Sequence, residues 1–210
     1  MDLIVTPAVL IPRPETEHVI ETVLEIWKSD PRRTGSDGPS GRPDFRVADV
    51  GTGSGCIALA LANEMPEAEI HATDNSPHAL EIAAANAARH QLEKRITFHA
   101  IDLLRGFEEQ SLDFVVSNPP YVGESEADQV QLEVRRFEPR NAVFAGPTGL
   151  EVIERLIPQA QAALRLGGWL VMEISGSTMR GVEQLLAKWK DVRIINDLQG
   201  IPRVVAAAKS

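Results

Sequence analysis

The stretch Asn118-Pro119-Pro120-Tyr121 combines residue types that suit chemistry at one stiff corner. The apolar run from Leu112 to Val116 leads into it and a polar, acidic segment follows, which places it where a buried strand opens into a loop. Two prolines fix φ and remove two backbone donors, so the turn is rigid and its carbonyls stay free to accept. Asn118 offers an amide with acceptor and donor atoms, and Tyr121 offers a flat ring. Such a corner can clamp a planar NH2-bearing group, hold its two protons and stack on its face. An isolated Asn-Pro-Pro is more often a plain strand-ending turn, so the elements around it must decide.

Those elements alternate. After Phe45, strands are predicted at Arg46–Asp49, Glu69–Thr73, Arg95–His99, Leu112–Ser117 and Trp169–Ile174, with two more near Val192–Asn196 and Arg203–Ala208. Helices are predicted over Cys56–Glu64, Pro77–His90 (Ser76 as cap, Pro77 first), Gly149–Leu166 and Thr178–Lys190. Short connections between alternating strands and helices imply an α/β, doubly wound, mostly parallel seven-stranded sheet. The last two strands are expected to form an antiparallel hairpin across Gly200.

Ahead of this pattern, residues Leu3 to Leu10 are β-leaning around Pro7. Pro12-Arg13-Pro14-Glu15 then opens a helix through about Trp27. The division expected is 1–28 as an N-terminal segment and helix, 29–44 as a flexible linker rich in Gly, Pro and Ser, and 45–210 as the main domain. The whole is expected to form one compact unit.

In doubly wound sheets, ligands bind at the carboxyl ends of the strands. Here Asp49 and the loop Gly51-Thr52-Gly53-Ser54-Gly55 close the first strand, Asp74 the second, Asp102 the third and Asn118 the fourth. The glycine loop alone is weak evidence, because glycine turns join strands to helices without any ligand. Its spacing departs from Gly-x-Gly-x-x-Gly, and no Gly-Lys-Ser/Thr is present for a triphosphate. Asp74 lies about twenty residues beyond the loop, where a carboxylate accepts both hydroxyls of a ribose. A carboxylate there suits a cationic ligand better than a polyphosphate, which favours S-adenosyl-L-methionine over a dinucleotide.

Composition narrows the classes. The 210 residues carry a formal net charge of −9, against a large polyanionic partner. No apolar run approaches the roughly 20 residues of a membrane span, and the start lacks a basic n-region, so neither membrane nor export is expected. The single Cys56 fits a reducing cytoplasm and opens an apolar helix as a packed hydrophobe. The five histidines show no metal spacing, and no metal is expected.

Val47-Ala48-Asp49-Val50-Gly51-Thr52-Gly53-Ser54-Gly55 resembles motif I of the class I methyltransferases, and Asn118-Pro119-Pro120-Tyr121 resembles the corner of those that methylate a planar amino group. Leu10-Ile11-Pro12-Arg13-Pro14-Glu15-Thr16-Glu17, Val134-Arg135-Arg136-Phe137-Glu138-Pro139 and the segment Asp197-Leu198 with Gly200-Ile201-Pro202-Arg203-Val204-Val205 are similar to the peptide chain release factor N5-glutamine methyltransferases. That family usually carries a helical domain before the Pro-Arg-Pro-Glu segment, where it helps hold the release factor. The expectation is a catalytic domain without it.

The resemblance implies a methyl donor, S-adenosyl-L-methionine, converted to S-adenosyl-L-homocysteine, and a release factor as partner of a monomeric enzyme. Gly51, Thr52, Gly53, Ser54 and Gly55 would lie beneath the methionine part, and Asp49 near its ammonium group. Asp74 would hold the ribose, and Asp102 with Leu103 would border the adenine. Asn118 Oδ1 and the Pro119 carbonyl would accept the two hydrogens of the glutamine amide, Tyr121 would pack on its plane, and Pro120 and Arg13 would complete the acceptor site. The alternative is the same chemistry on the exocyclic amine of adenine or guanine in RNA or DNA, for which Arg135, Arg136 and Arg140 offer a cluster of charge.

Overall fold

The computed structural model describes residues 1–34 and 45–210. Seven strands form one twisted sheet: β1 (Arg46–Val50), β2 (Glu69–Asp74), β3 (Ile96–Ala100), β4 (Leu112–Ser117), β7 (Leu164–Glu173), β8 (Lys190–Asn196) and β9 (Pro202–Ala208). Their order is β3-β2-β1-β4-β7-β9-β8. Pairing is parallel from β3 through to β7 and antiparallel where β9 meets β7 and β8, so the expected sheet and hairpin are both present. Because the chain runs outward from β1 to β2 and β3 and then returns to β4, the order reverses between β1 and β4, and a crevice opens at their carboxyl ends.

Both faces of the sheet are covered. One core packs helix α1 (Thr16–Ser29) and α2 (Cys56–Glu64) through Val19, Val23, Trp27, Ile57 and Leu61 against Val47, Ile70, Phe114 and Val171. The opposite core packs α6 (Glu151–Ala163) and α7 (Met179–Leu185) through Ile153, Leu156, Ile157 and Val182 against Ala48, Val115, Leu170 and Val205. β4 reads as a continuous apolar run because it is buried on both faces, as a central parallel strand must be. Helix α3 (Pro77–Arg89) starts as expected, with Ser76 Oγ accepting the Ala79 N–H at 3.2 Å.

Several expected elements change. Leu3–Leu10 joins no strand of either sheet. It is tied down by the buried Asn86 of α3, whose amide accepts the Ile4 N–H at 2.7 Å and donates to the Ile4 carbonyl at 3.0 Å. The helix predicted to Leu166 ends at Ala163, since Leu164 already pairs with Leu112 across a register shift and Gly167, at φ +73°, turns the chain back into the strand. The helix predicted over Thr178–Lys190 is shorter, Met179–Leu185. Of the expected linker, Pro31–Thr34 forms a 3-10 turn, and residues 35–44 lie outside the described residues.

The segment after Tyr121 holds elements that carry no local signal. β5 (Val122–Gly123) pairs in parallel with β6 (Phe144–Gly146), and between them lie a 3-10 turn, α4 (Leu132–Phe137) and α5 (Arg140–Val143). Gly149, at φ +84°, passes so close that a Cβ there would lie 2.5 Å from the Tyr121 carbonyl. Only glycine lets that backbone lock behind the corner.

Candidate active site

Two cavities meet at the carboxyl end of β4. The first is walled by Gly51, Thr52, Gly53 and Ser54, by Asp74, Asp102 and Leu103, and by Asn118, Pro119 and Pro120. Ala8, Val9 and Leu10 close it from the N-terminal segment. The second is walled by Arg13, Glu15, Tyr121, Val130, Gln131, Glu173 and Arg203, and again by Asn118, Pro119 and Pro120. The proline corner is therefore a partition with a cavity on either side.

Most of the sequence-predicted residues meet in this way, but Asp49 and Gly55 are not part of either wall. Gly55 begins α2 at φ +85°, with Ala83 Cβ 3.2 Å from where its own Cβ would stand. Asp49 is wholly buried beneath the glycine loop. Its Oδ2 accepts the Thr52 hydroxyl at 2.6 Å and the Ala58 N–H at 3.1 Å, while its Oδ1 has no partner among the described residues. Burial pushes its carboxyl from the ordinary 3.8 up to about 7, against the opposing pull of those two donors. An unpaired buried oxygen of this kind is uncommon in a folded protein.

Asp74 orders the loop from the neighbouring strand: its Oδ2 accepts the Gly53 N–H at 3.0 Å and its Oδ1 the Ser76 N–H at 2.8 Å. Each oxygen keeps a further lone pair for a ligand hydroxyl. Leu103 stands at φ +54°, and its carbonyl accepts the Thr73 hydroxyl at 2.9 Å. Asp102 is engaged by Arg155 of α6, which also lines the cavity, so the expected adenine contact has a cationic neighbour that the sequence did not reveal. Cys56 lines the cavity as a thiol, its pKa pushed to about 12 by burial and by Asp49.

In the second cavity, Arg13 pairs with the half-buried Glu138, which also accepts the Ile11 N–H at 3.4 Å. This ties the Pro-Arg-Pro segment to the end of α4. Arg203 projects from β9, held by Asp197 at 2.8 Å. Arg135 and Arg140 of the cluster weighed for nucleic acid are tied to Asp128 at 3.3 Å and Glu124 at 3.4 Å.

Besides Arg155, sequence reasoning assigned no role to Glu173 or Thr16. Glu173, at the end of β7, is 2% exposed, and its carboxylate accepts the Thr16 hydroxyl at 2.9 Å and the Tyr121 hydroxyl at 2.9 Å. Thr16 in turn accepts from Asn118 Nδ2 at 3.1 Å. Burial raises the carboxyl of Glu173, and burial followed by the nearby Glu173 raises the phenol of Tyr121. The available signal was the lone carboxylate inside the apolar run Trp169–Ile174.

Residues 40–136 match the family model described as methyltransferase small domain. The release factor glutamine methyltransferase of Koribacter versatilis is 49% identical over 209 residues, covering 99% of this chain and 70% of its own length. The chain belongs to the release factor glutamine methyltransferase family. A second family member, from Rhodopirellula baltica, is 40% identical and is covered over 67% of its length. Among solved structures, the human Mettl16 catalytic domain superposes with a TM-score of 0.73 at 17% identity, covering 99% of this chain and 75% of that one. Ribosomal protein L11 methylase from Lactobacillus delbrueckii gives 0.65 at 22% identity, covering 97% and 83%. These two likenesses speak for the shared fold.

Proposed function

We propose that this protein transfers a methyl group from S-adenosyl-L-methionine to the side-chain amide nitrogen (N5) of a glutamine, in the Gly-Gly-Gln motif of a peptide chain release factor. The observation that carries this reading is the shared partition: Asn118, Pro119 and Pro120 face a donor cavity on one side and an acceptor cavity on the other. Membership of the family supports glutamine over the exocyclic amine of a base.

The residues of the first cavity fit the donor. Its wall holds the carboxylates of Asp74 and Asp102, its cation Arg155 is paired, and the orphaned Asp49 Oδ1 lies beneath the loop. That set suits a cationic ligand with ribose hydroxyls and disfavours a polyphosphate. When bound, the donor supplies a methyl group on a positively charged sulfur that departs with the bonding electrons.

The chain's own residues prepare the acceptor. An amide nitrogen is a poor nucleophile because its lone pair is delocalised into the carbonyl. Asn118 Oδ1 and the Pro119 carbonyl accept the two amide hydrogens and draw the lone pair out of conjugation, toward the donor cavity. Tyr121, held by Glu173, packs on the amide plane. These groups act by position and electrostatics, and the extra proton leaves to solvent after transfer, so no strong base is required. The segment 1–28 and the main domain 45–210 work as one unit, since Leu10 borders both cavities. Among the described residues no helix is long and apolar enough to cross a membrane. Membership of a family named for its release factor substrate supports a cytoplasmic enzyme, which we take to be monomeric.

The test is incubation with methyl-labelled S-adenosyl-L-methionine and either a release factor or total RNA. Label is expected on the glutamine side chain, located by peptide mass spectrometry. Label on RNA alone contradicts the reading.

A further inference from the structure

Glu173 lies below the reacting corner and touches it through two hydroxyls. A carboxylate only accepts hydrogen bonds. With Glu173 ionised, Thr16 and Tyr121 must both spend their single hydroxyl proton on it, over 2.9 Å in each case. Thr16 Oγ1 then has only lone pairs left, so the Asn118 amide must turn its Nδ2 toward Thr16, at 3.1 Å. Asn118 Oδ1 is thereby left for the partition, and no bond among the described residues engages it.

We propose that Glu173 is a positioning residue that sets which way the Asn118 amide faces, acting through Thr16, and that only its ionised form presents Oδ1 to the acceptor amide. The inference rests on the reading of Asn118 given above and deepens it. A protonated Glu173 carries a donor of its own. Delivered to Thr16, that proton frees the Thr16 hydroxyl to donate to Asn118, whose amide then turns over and presents NH2 where an acceptor is needed. Two donors facing each other hold no amide.

The relay is also insulated. Glu173 is buried, and the groups that face it are Thr16 from the start of α1, Tyr121 beyond β4, Glu15 ahead of α1, Cys56 of α2 and Arg203 from β9. Burial and Glu15 raise its carboxyl, while the two hydroxyls and Arg203 pull it down, and the net direction is upward. Proton loss from Glu173 is therefore shifted upward from the ordinary carboxyl value, and turnover should fall as pH drops through it. A residue that served only to pack the corner would give no such limb.

Glu173→Gln keeps the shape and adds a donor. It is expected to lower kcat on a release factor by roughly tenfold or more, the worth of a hydrogen bond to a charged group. Calorimetric affinity for S-adenosyl-L-methionine should stay within about twofold, since the donor cavity lacks Glu173, and the acidic limb of the kcat profile should vanish. A second pair protects the test against misfolding: Thr16→Val should lose turnover to a similar degree, and Thr16→Ser should restore most of it. If Asn118→Ala abolishes turnover while Glu173→Gln and Thr16→Val keep wild-type kcat and pH profile, the relay is overturned and the corner stands. If Asn118→Ala keeps full turnover, the reading of the corner falls and the relay with it.

Discussion

The two edges of one sheet use similar residues to opposite ends. At the amino edge, Asp113 of β4 is surrounded: it accepts from Arg32 at 2.7 Å, from the Arg46 N–H at 2.7 Å and from Arg165. Arg46 also reaches Glu69 at 3.0 Å, and Glu69 lies 3.3 Å from His71. Further along β2 and β3, toward their carboxyl ends, His71 and His99 face each other at 3.0 Å against the edge of Phe107, burial lowering the pKa of both. At the carboxyl edge, Asp102 and Glu173 are engaged as well, but three other polar groups keep open valences. Asp49 holds an unpaired Oδ1, Asp74 is bonded once at each oxygen, and Asn118 is bonded only through Nδ2 among the described residues. Saturated charge holds a fold together, and unsaturated polar groups in a cavity wait for a ligand.

That contrast can be broken by substitution. Asp113→Ala takes away the acceptor shared by Arg32, Arg165 and the Arg46 N–H, while both half-exposed guanidinium groups keep Asp30, so a loss of about 1–3 kcal/mol is expected. Urea unfolding should show that loss, with kcat per folded molecule unchanged. A loss of turnover in the folded fraction would mean that the amino edge is not merely structural. Asp74→Ala should act on the other edge, weakening S-adenosyl-L-methionine by about tenfold through loss of its hydroxyl contacts and of the bond that orders Gly53. Titration calorimetry reads that directly.

Asp49→Asn sharpens the comparison with a smaller, pH-dependent effect. Because the folded protein holds the Asp49 proton up to about pH 7 and the unfolded chain releases it near 3.8, the native state binds more protons between those values. Stability of the ligand-free protein should fall as pH rises through that window, and the Asn variant should flatten the slope. An unaltered slope, followed by urea midpoints at pH 5 and pH 8, would relieve Asp49 of this role.

The strand ends Asp49, Asp74, Asp102 and Asn118 were legible because each polar residue breaks an apolar run and opens a loop. Glu173 was not, although it interrupts a run of the same kind one residue before its end. Its meaning depends on β7 lying beside β4, and strand order is a property of the fold with no local trace. Arg155 was hidden likewise, since it reaches Asp102 only once α6 is laid across the sheet. The two short strands β5 and β6 pair residues far apart in the chain through two registered positions, too few for any periodicity. The helix predicted to Leu166 failed for a physical reason as well: pairing of Leu164 with Leu112 draws the chain into the sheet before the helical pattern runs out. Asp49 shows a finer limit. Sequence placed it at the loop, and only burial distinguishes a residue beneath the loop from one in the wall.

The central claim is that the partition between the two cavities binds the acceptor amide. The most direct measurement is single-turnover methyl transfer to a release factor by Asn118→Ala, with donor affinity measured on the same preparation. A loss of roughly a hundredfold or more in the transfer rate is predicted, comparable with removing one preorganised group at a reacting centre, with S-adenosyl-L-methionine affinity nearly unchanged. Transfer at the wild-type rate would contradict it.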